Sequence, residues 1–220
     1  MNLSAIYSTR VMKYAAVMAI AIGMLVIWPA KAHTCACCME PGAWYEGTQR
    51  TKDLHFLEIN SLRFYPIARL YTTDAYPDDF RGISASPDSL YEDLKISVSR
   101  IGNRWTLRFK AEGGETGSLI FTIPDRFIHF EVDLNADVRQ PRRDPGGIYQ
   151  EWRFKAPVWG TGMFAIGNAP NTKLTLVLRG TGNICISASE IKNWNLEVSG
   201  PRASYSIYGD FVQGPATQKN

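Results

Sequence analysis

The chain has 220 residues, which is enough for one sizeable hydrophobic core and too few for two large domains. It carries 24 lysine and arginine residues against 21 aspartate and glutamate residues. The three excess cations, Arg10, Lys13 and Lys31, all fall in the first 32 residues, which contain no acid. The rest of the chain is therefore formally neutral, and its composition gives no support to a nucleic-acid partner.

Residues 1–32 have the organisation of a cleavable signal peptide. The basic residues Arg10 and Lys13 precede a run without charged residues from Tyr14 to Trp28, and Ala30-Lys31-Ala32 has the small residues that signal peptidase requires. A transmembrane helix needs about 20 apolar residues, so this run is short for one. We therefore expect a secreted or periplasmic protein. The alternative is an uncleaved anchor, which would be the protein's one attachment to a membrane.

A cysteine-rich segment, residues 33–53, follows the expected cleavage site. It contains Cys35, Cys37 and Cys38, and the fourth cysteine of the chain is Cys185. An even number of cysteines in an exported protein favours disulfide bonds. One arrangement closes a small loop between Cys35 and Cys38 and joins Cys37 to Cys185. Four cysteines allow three pairings, and the sequence does not choose among them.

The same segment also suits a copper or zinc site. The metal ligands would be His33, Cys35, Cys37 and Cys38. Thiolates beside an imidazole are ligands that Cu(I) and Zn(II) prefer. With His33 as its first residue, the mature chain resembles the copper histidine-brace proteins in that one respect. The resemblance implies a second histidine, for which His55 and His129 are available. We expect no other cofactor.

Residues 54–212 are predicted to form a β domain, because apolar residues recur at every second position. The hairpin with strands Leu94–Val98 and Trp105–Ala111 around the turn Ile101–Asn103 is typical of the pattern. The same alternation predicts further strands, with weaker ones near the beginning of the domain. These lie at 119–123, 128–134, 152–158, 174–178, 184–188, 194–198, 205–211 and, more weakly, 54–59 and 62–71.

The strand count and spacing predict an all-β, single-domain antiparallel β-sandwich with jelly-roll-like connections. A closed barrel is the alternative, since both architectures give strands with one apolar and one polar face. Helical signals are confined to Pro87–Asp93, with a proline at the first helical position, and to one turn within Ser187–Asn193. The polar residues 213–220 are predicted to be a disordered tail.

The strand expected at 128–134 carries a candidate ligand-binding row. Its polar members are His129, Glu131 and Asp133, which alternate with Ile128, Phe130 and Val132. We expect the apolar residues to face the core and the three polar side chains to share the solvated face, about 7 Å apart along the strand. Other candidates for ligand contact are aromatic residues outside the inward registers, namely Trp44, Tyr45, Tyr65, Tyr71, Tyr76 and Trp159.

Enzyme motifs are sparse. Gly82–Ser86 lacks the last glycine of a nucleophile elbow, and the sequence has no phosphate loop, dinucleotide fingerprint or zinc-protease motif. We therefore expect a non-catalytic binding or envelope-associated module with an unknown extracytoplasmic ligand or protein partner. The alternatives are a metal-handling protein and an extracytoplasmic hydrolase that acts on glycans or peptides.

Overall fold

The structure is a computed structural model that describes residues 43–52, 56–71, 81–84, 91–133, 147–182 and 188–212. The strands within these ranges are β1 (Trp44–Arg50), β2 (Phe64–Tyr71), β3 (Tyr91–Ile101), β4 (Arg104–Lys110), β5 (Thr116–Thr122), β6 (Arg126–Asp133), β7 (Ile148–Gly162), β8 (Lys173–Gly182), β9 (Ile191–Gly200) and β10 (Ala203–Phe211). One α-helix, α1 (Phe56–Ser61), and two 3-10 turns, Ala165–Gly167 and Ala188–Glu190, join them. Among these residues no helix is long and apolar enough to cross a bilayer.

Strand β7 closes the sheet into a barrel. Its residues Ile148–Pro157 pair with β8 on one edge. Its residues Val158–Gly162 pair with Gly117–Phe121 of β5 on the other edge. The ring runs β2, β3, β4, β5, β7, β8, β9 and β10, and β10 pairs with β2. The all-β antiparallel prediction is confirmed. Of its two architectures the closed barrel is the one observed, because β7 joins both ends of one sheet instead of leaving two sheets to stack.

Strands β1 and β6 form an extension of the barrel wall, which we call the rim extension. Ile128 follows Phe121 by seven positions, whereas their partners Val158 and Arg153 on β7 are five positions apart. The two extra residues lie in the break Ile123–Asp125, whose proline cannot donate a ladder hydrogen bond. Strand β6 therefore continues along β7 beyond the end of β5, and β1 pairs with the outer edge of β6.

Aromatic side chains fill the barrel. The largest fully buried ones are Trp105, Trp152, Trp194, Tyr205, Phe154 and Phe164. The inward registers predicted for β4, β7, β8 and β9 are confirmed, since their apolar members are all buried. An eight-stranded barrel is just wide enough to be filled by its own side chains. Burial here raises the pKa of the Tyr205 hydroxyl far above its ordinary value.

Helix α1 packs into the core through Ile59 and is held by Arg100 of β3. The two terminal nitrogens of Arg100 donate to the carbonyl oxygens of Asn60 at 2.7 Å and Leu62 at 2.8 Å. These carbonyls lie at the helix C-terminus, where intrahelical partners run out. The guanidinium also lies over the ring of Trp105, 4.4 Å from its centroid. Burial lowers the pKa of Arg100.

Two expectations about local structure are wrong. Residues 56–61 form α1 instead of a weak strand over 54–59, because a short apolar run does not distinguish a helix from a strand. Strand β3 begins at Tyr91, so a helix over Pro87–Asp93 does not extend to its predicted end. Strand β1 (Trp44–Arg50) lies within the segment 33–53. The helical turn near residue 188 is confirmed. The predicted signal peptide, residues 1–32, and the predicted disordered tail, residues 213–220, lie outside the described residues.

Candidate ligand-binding site at the barrel rim

Strand β6 places its polar side chains inside the barrel, which is opposite to the sequence prediction. His129, Glu131 and Asp133 are 3 %, 3 % and 2 % exposed, whereas Ile128 is 39 % exposed. The three polar residues share one face as predicted, but that face is the inner one. The buried ring of Phe127 begins the same register, stacked on an aromatic ring of β7 with centroids 5.2 Å apart.

The outer face of β6 is covered by long side chains of neighbouring strands. The ring of Phe130 lies against Tyr149 and beneath the guanidinium of Arg153, 5.2 Å from its carbon. Nε of Arg153 donates to Glu151 at 2.6 Å, and its Nη1 reaches Glu46 of β1. Tyr149 donates to Glu151, and burial together with this hydrogen bond raises the pKa of Tyr149 to about 12. Phe130 is thus partly shielded from water on the outer face, while Ile128 remains exposed there.

The register of neighbouring strands brings further side chains beside the polar residues of β6. Three inner rows cross the sheet towards the rim, namely Gly47-His129-Trp152-Leu178, Tyr45-Glu131-Gln150-Gly180 and Asp133-Ile148-Gly182. Gln150 and Trp152 of β7 are buried like the residues of β6. We call His129, Glu131, Asp133, Gln150 and Trp152 the rim cluster.

Gln49 orients the imidazole of His129. Its side-chain nitrogen lies 2.9 Å from Nδ1 of His129. An amide nitrogen can only donate, so this contact is a hydrogen bond in the tautomer that carries the ring proton on Nε2. That Nε2 lies 3.0 Å from Oε1 of Glu131, but the two groups are not aligned for a hydrogen bond. The ring of Tyr45 covers the imidazole edge-on, with centroids 6.3 Å apart, and fills the space beside Gly47.

Four buried polar atoms of the rim cluster have no hydrogen-bond partner in the structure. They are His129 Nε2, Glu131 Oε1, Gln150 Oε1 and Trp152 Nε1. His129 faces Trp152 and Glu131 faces Gln150 across the β6–β7 ladder, so the four atoms belong to one contiguous block. Each buried, unsatisfied polar group costs about 1–3 kcal/mol, and native proteins contain few of them. Six further buried polar atoms among the described residues also lack a hydrogen-bond partner. The block is a candidate binding site because its four atoms are contiguous and include the pair His129 Nε2 and Glu131 Oε1, 3.0 Å apart.

A third carboxylate reaches the rim from the turn before β9. The backbone carbonyl of Glu190 lies over Gly180, and its carboxylate lies over Gly182, closer than a side chain at either position would permit. Gly180 and Gly182 of β8 pair with Gln150 and Ile148 of β7. Glu190 therefore lies on the opposite side of β7 from β6. The glycines of β8 thus make room for a charged side chain that their own strand does not supply.

The residues proposed for metal binding and disulfides cannot be placed. His33, Cys35, Cys37, Cys38, His55 and Cys185 lie outside the described residues, so the copper or zinc site and the disulfide pairings stay predictions. Within the described ranges, no group of three or more His, Cys, Asp or Glu side chains is arranged to hold a metal ion.

Sequence reasoning missed several residues of the site. Gln49, Gln150 and Glu190 belong to no motif, and Trp152 was expected only in the core. The signal available in the sequence was the alternation of side-chain direction along β7, because Gln150 lies two residues before Trp152 and therefore shares its inward face. Of the aromatic candidates, Trp44, Tyr45, Tyr65 and Trp159 are exposed as expected, while the side chains of Tyr71 and Tyr76 are not among those described.

The block offers both donors and acceptors to a small molecule. The indole and imidazole N–H groups donate, and the oxygens of Glu131 and Gln150 accept. The carboxylate of Glu131 belongs to the block, which favours a ligand with positive charge or many donors. No protein-family model, curated protein or solved structure matches the chain. Function is accordingly inferred from these side chains.

Proposed function

We propose that this chain is a non-catalytic binding protein that acts outside the cytoplasm and takes a small ammonium compound into the rim cluster. The observation that carries the proposal is the block of four unsatisfied polar atoms on β6 and β7. A bound ammonium group donates to the oxygens of Glu131 and Gln150. Export is the expectation from the predicted signal peptide at residues 1–32 and from the even number of cysteines, namely Cys185 and the three in the segment 33–53.

The acidic character of the rim favours a cation over an anion. Glu131 is 3 % exposed, and a buried carboxylate is strongly disfavoured unless a positive or donating group accompanies it. His129 stands beside Glu131 without a hydrogen bond between the two side chains. A ligand that donates to Oε1 of Glu131 would relieve this deficit, whereas a carboxylate ligand would deepen it.

The hydrogen bonding of His129 favours binding over hydrolysis. A general base needs a free ring nitrogen within reach of the proton that it removes. Nδ1 of His129 accepts from Gln49, and Nε2 carries the proton and lies against Glu131. This arrangement makes the imidazole a fixed donor. The extracytoplasmic hydrolase therefore gains no support from the described residues.

Replacing Glu131 should remove the affinity for ammonium compounds. We expect Glu131→Gln to weaken the binding of ethanolamine to the purified protein at least about tenfold, because a charge-assisted hydrogen bond in a buried site is lost. NMR titration of the His129 ring signals, assigned with a His129→Gln variant, measures the affinity. Glu46→Gln is the matched control, since Glu46 is an exposed carboxylate on the outer face of β1. Equal affinity in Glu131→Gln, or preference for glycolate over ethanolamine, would contradict the proposal.

Replacing Gln150 should separate a ligand site from a structural polar cluster. We expect Gln150→Leu to weaken ethanolamine binding and to raise the free energy of unfolding of the unliganded protein by up to about 1 kcal/mol, because an unsatisfied buried oxygen is removed. Urea unfolding followed by tryptophan fluorescence measures the second effect. A cluster that only supports the fold would respond differently, with a loss of stability and no change in ethanolamine affinity.

A further inference from the structure

The outer surface of β3, β4 and β5 carries a second feature, an open groove with a volume of about 480 Å³. Its outward-facing residues are Lys95 and Ser97 of β3, Arg108 and Lys110 of β4, Thr116 and Ser118 of β5, and Thr161 of β7. We call these seven residues the outer groove. It lies on the opposite face of the barrel wall from the core and shares no residue with the rim cluster.

Three cations of the outer groove lie side by side, and none of them is paired with a carboxylate of the described residues. Lys95 lies directly opposite Lys110 in the β3–β4 ladder, and Arg108 is one position further along the same face. Like charges directly opposite each other destabilise a sheet. Among the described residues, no ion pair joins any of the three to a carboxylate. The exposed Glu112 and Glu115 lie in the turn beyond the groove's end, outside its lining.

Two arginines elsewhere in the described structure form ion pairs. Nε of Arg69 lies 3.0 Å from Asp93 and its Nη1 donates to Tyr208 at 2.9 Å. Arg153 binds both Glu151 and Glu46. The outer groove instead brings three cations together on one face, and charge complementarity favours an anionic partner for them.

The remaining lining of the groove narrows the class of anion. One row across the four strands consists of Ser97, Arg108, Ser118 and Thr161, and the next row consists of Lys95, Lys110 and Thr116. Trp159, two residues before Thr161 on the same face of β7, is 61 % exposed. Four strands span about 14 Å, three spacings of about 4.8 Å. Cations, hydroxyls and an exposed indole ring in adjacent rows of one face match the acid groups, hydroxyls and ring faces of a sugar chain.

We infer that the outer groove binds an acidic oligosaccharide, with the acid groups on Lys95, Arg108 and Lys110 and a sugar ring against Trp159. The composition of the whole chain does not reveal this surface, because the mature chain is neutral while the cations are grouped locally. The inference is independent of the proposed ammonium site, so a Glu131→Gln variant that loses ethanolamine binding retains the oligosaccharide.

Calorimetric titration of the purified protein with hexagalacturonate tests the inference. The groove variant replaces Lys95, Arg108 and Lys110 with glutamine. The matched control carries the same charge change on another part of the barrel, through glutamine at Lys155, Lys173 and Lys192, which are exposed. We expect the groove variant to bind at least about tenfold more weakly than the native protein and the control to stay within about twofold. Trp159→Ala should also weaken binding severalfold, and maltohexaose should not bind.

Other results would overturn the inference. Equal loss of affinity in the groove variant and its control would mean that net charge alone attracts the oligosaccharide. Maltohexaose binding as tight as that of hexagalacturonate would remove the role of the cations. Tighter binding to phosphatidylglycerol vesicles, abolished in the groove variant, would identify an anionic lipid surface as the partner instead. Absence of hexagalacturonate binding at low ionic strength, where exposed charges interact most strongly, would reject the site outright.

Discussion

Gly162→Ala is expected to lower the free energy of unfolding by about 3 kcal/mol or more, with a large drop in soluble yield. Gly162 ends β7 with φ of +58°, a conformation that costs an L-residue about 1–2 kcal/mol. A Cβ at this position would also overlap the backbone carbonyl of Thr116 and lie 2.9 Å from the Cα of Gly117. Neither backbone atom can move without disturbing the β5–β7 ladder that closes the barrel.

Gly102→Ala is the matched control for this effect. Gly102 has the same φ of +58° in the β3–β4 turn, but a Cβ there would have no heavy atom within 4 Å. We expect a loss of only about 1–2 kcal/mol from the backbone conformation alone. Urea unfolding of both variants by circular dichroism gives the difference. Equal losses in the free energy of unfolding of the two variants would show that the Thr116 carbonyl leaves room for a side chain at position 162.

Trp194→Ala is expected to destabilise the protein by about 3–5 kcal/mol, the range for truncation of a large buried aromatic side chain. Trp194 of β9 is 0 % exposed and lies in register with Leu178 on β8 and Gly209 on β10. A Cβ at Gly209 would lie 2.9 Å from its ring, so that glycine gives the indole its space. Phe64 packs on it with centroids 5.2 Å apart. Truncation therefore leaves a large cavity between four strands.

Trp159→Ala provides the comparison, since it removes the same side chain from the barrel's outer surface, where the ring is 61 % exposed. We expect a change of at most about 0.5 kcal/mol, as for most surface substitutions. Thermal and urea unfolding of the two variants measure the contrast. A loss in Trp194→Ala as small as that in Trp159→Ala would mean that the core reorganises to fill the space.

The sequence predicts those parts of the fold that depend on local alternation. The β3–β4 hairpin has its turn where Ile101, Gly102 and Asn103 place it, and the inward residues Trp105 and Phe109 are buried. Leu174, Leu176 and Leu178 of β8 behave in the same way. In each case large apolar residues occupy every second position, so only one face of the strand is apolar enough to be buried.

The candidate site depended on information that the sequence expresses only weakly. Alternation shows that His129, Glu131 and Asp133 share a face, and this is confirmed. It does not show that the face is the inner one, because Ile128 and Phe130 offered an equally regular apolar face. Ordinary burial preference favours the apolar set. The cover that Arg153 and Tyr149 give to the outer face comes from β7, whose pairing with β6 is a long-range contact.

The amino-acid sequence by itself determined that this protein is an antiparallel β domain and which residues alternate on each strand, because side-chain direction in a strand follows from covalent geometry. Only the tertiary structure decided that the sheet closes through β7, that β6 turns its polar side chains inward, and that Lys95 meets Lys110 on the outer surface. These features depend on which strands pair and in what register, and such pairings join residues far apart in the chain, where no local pattern records the partner.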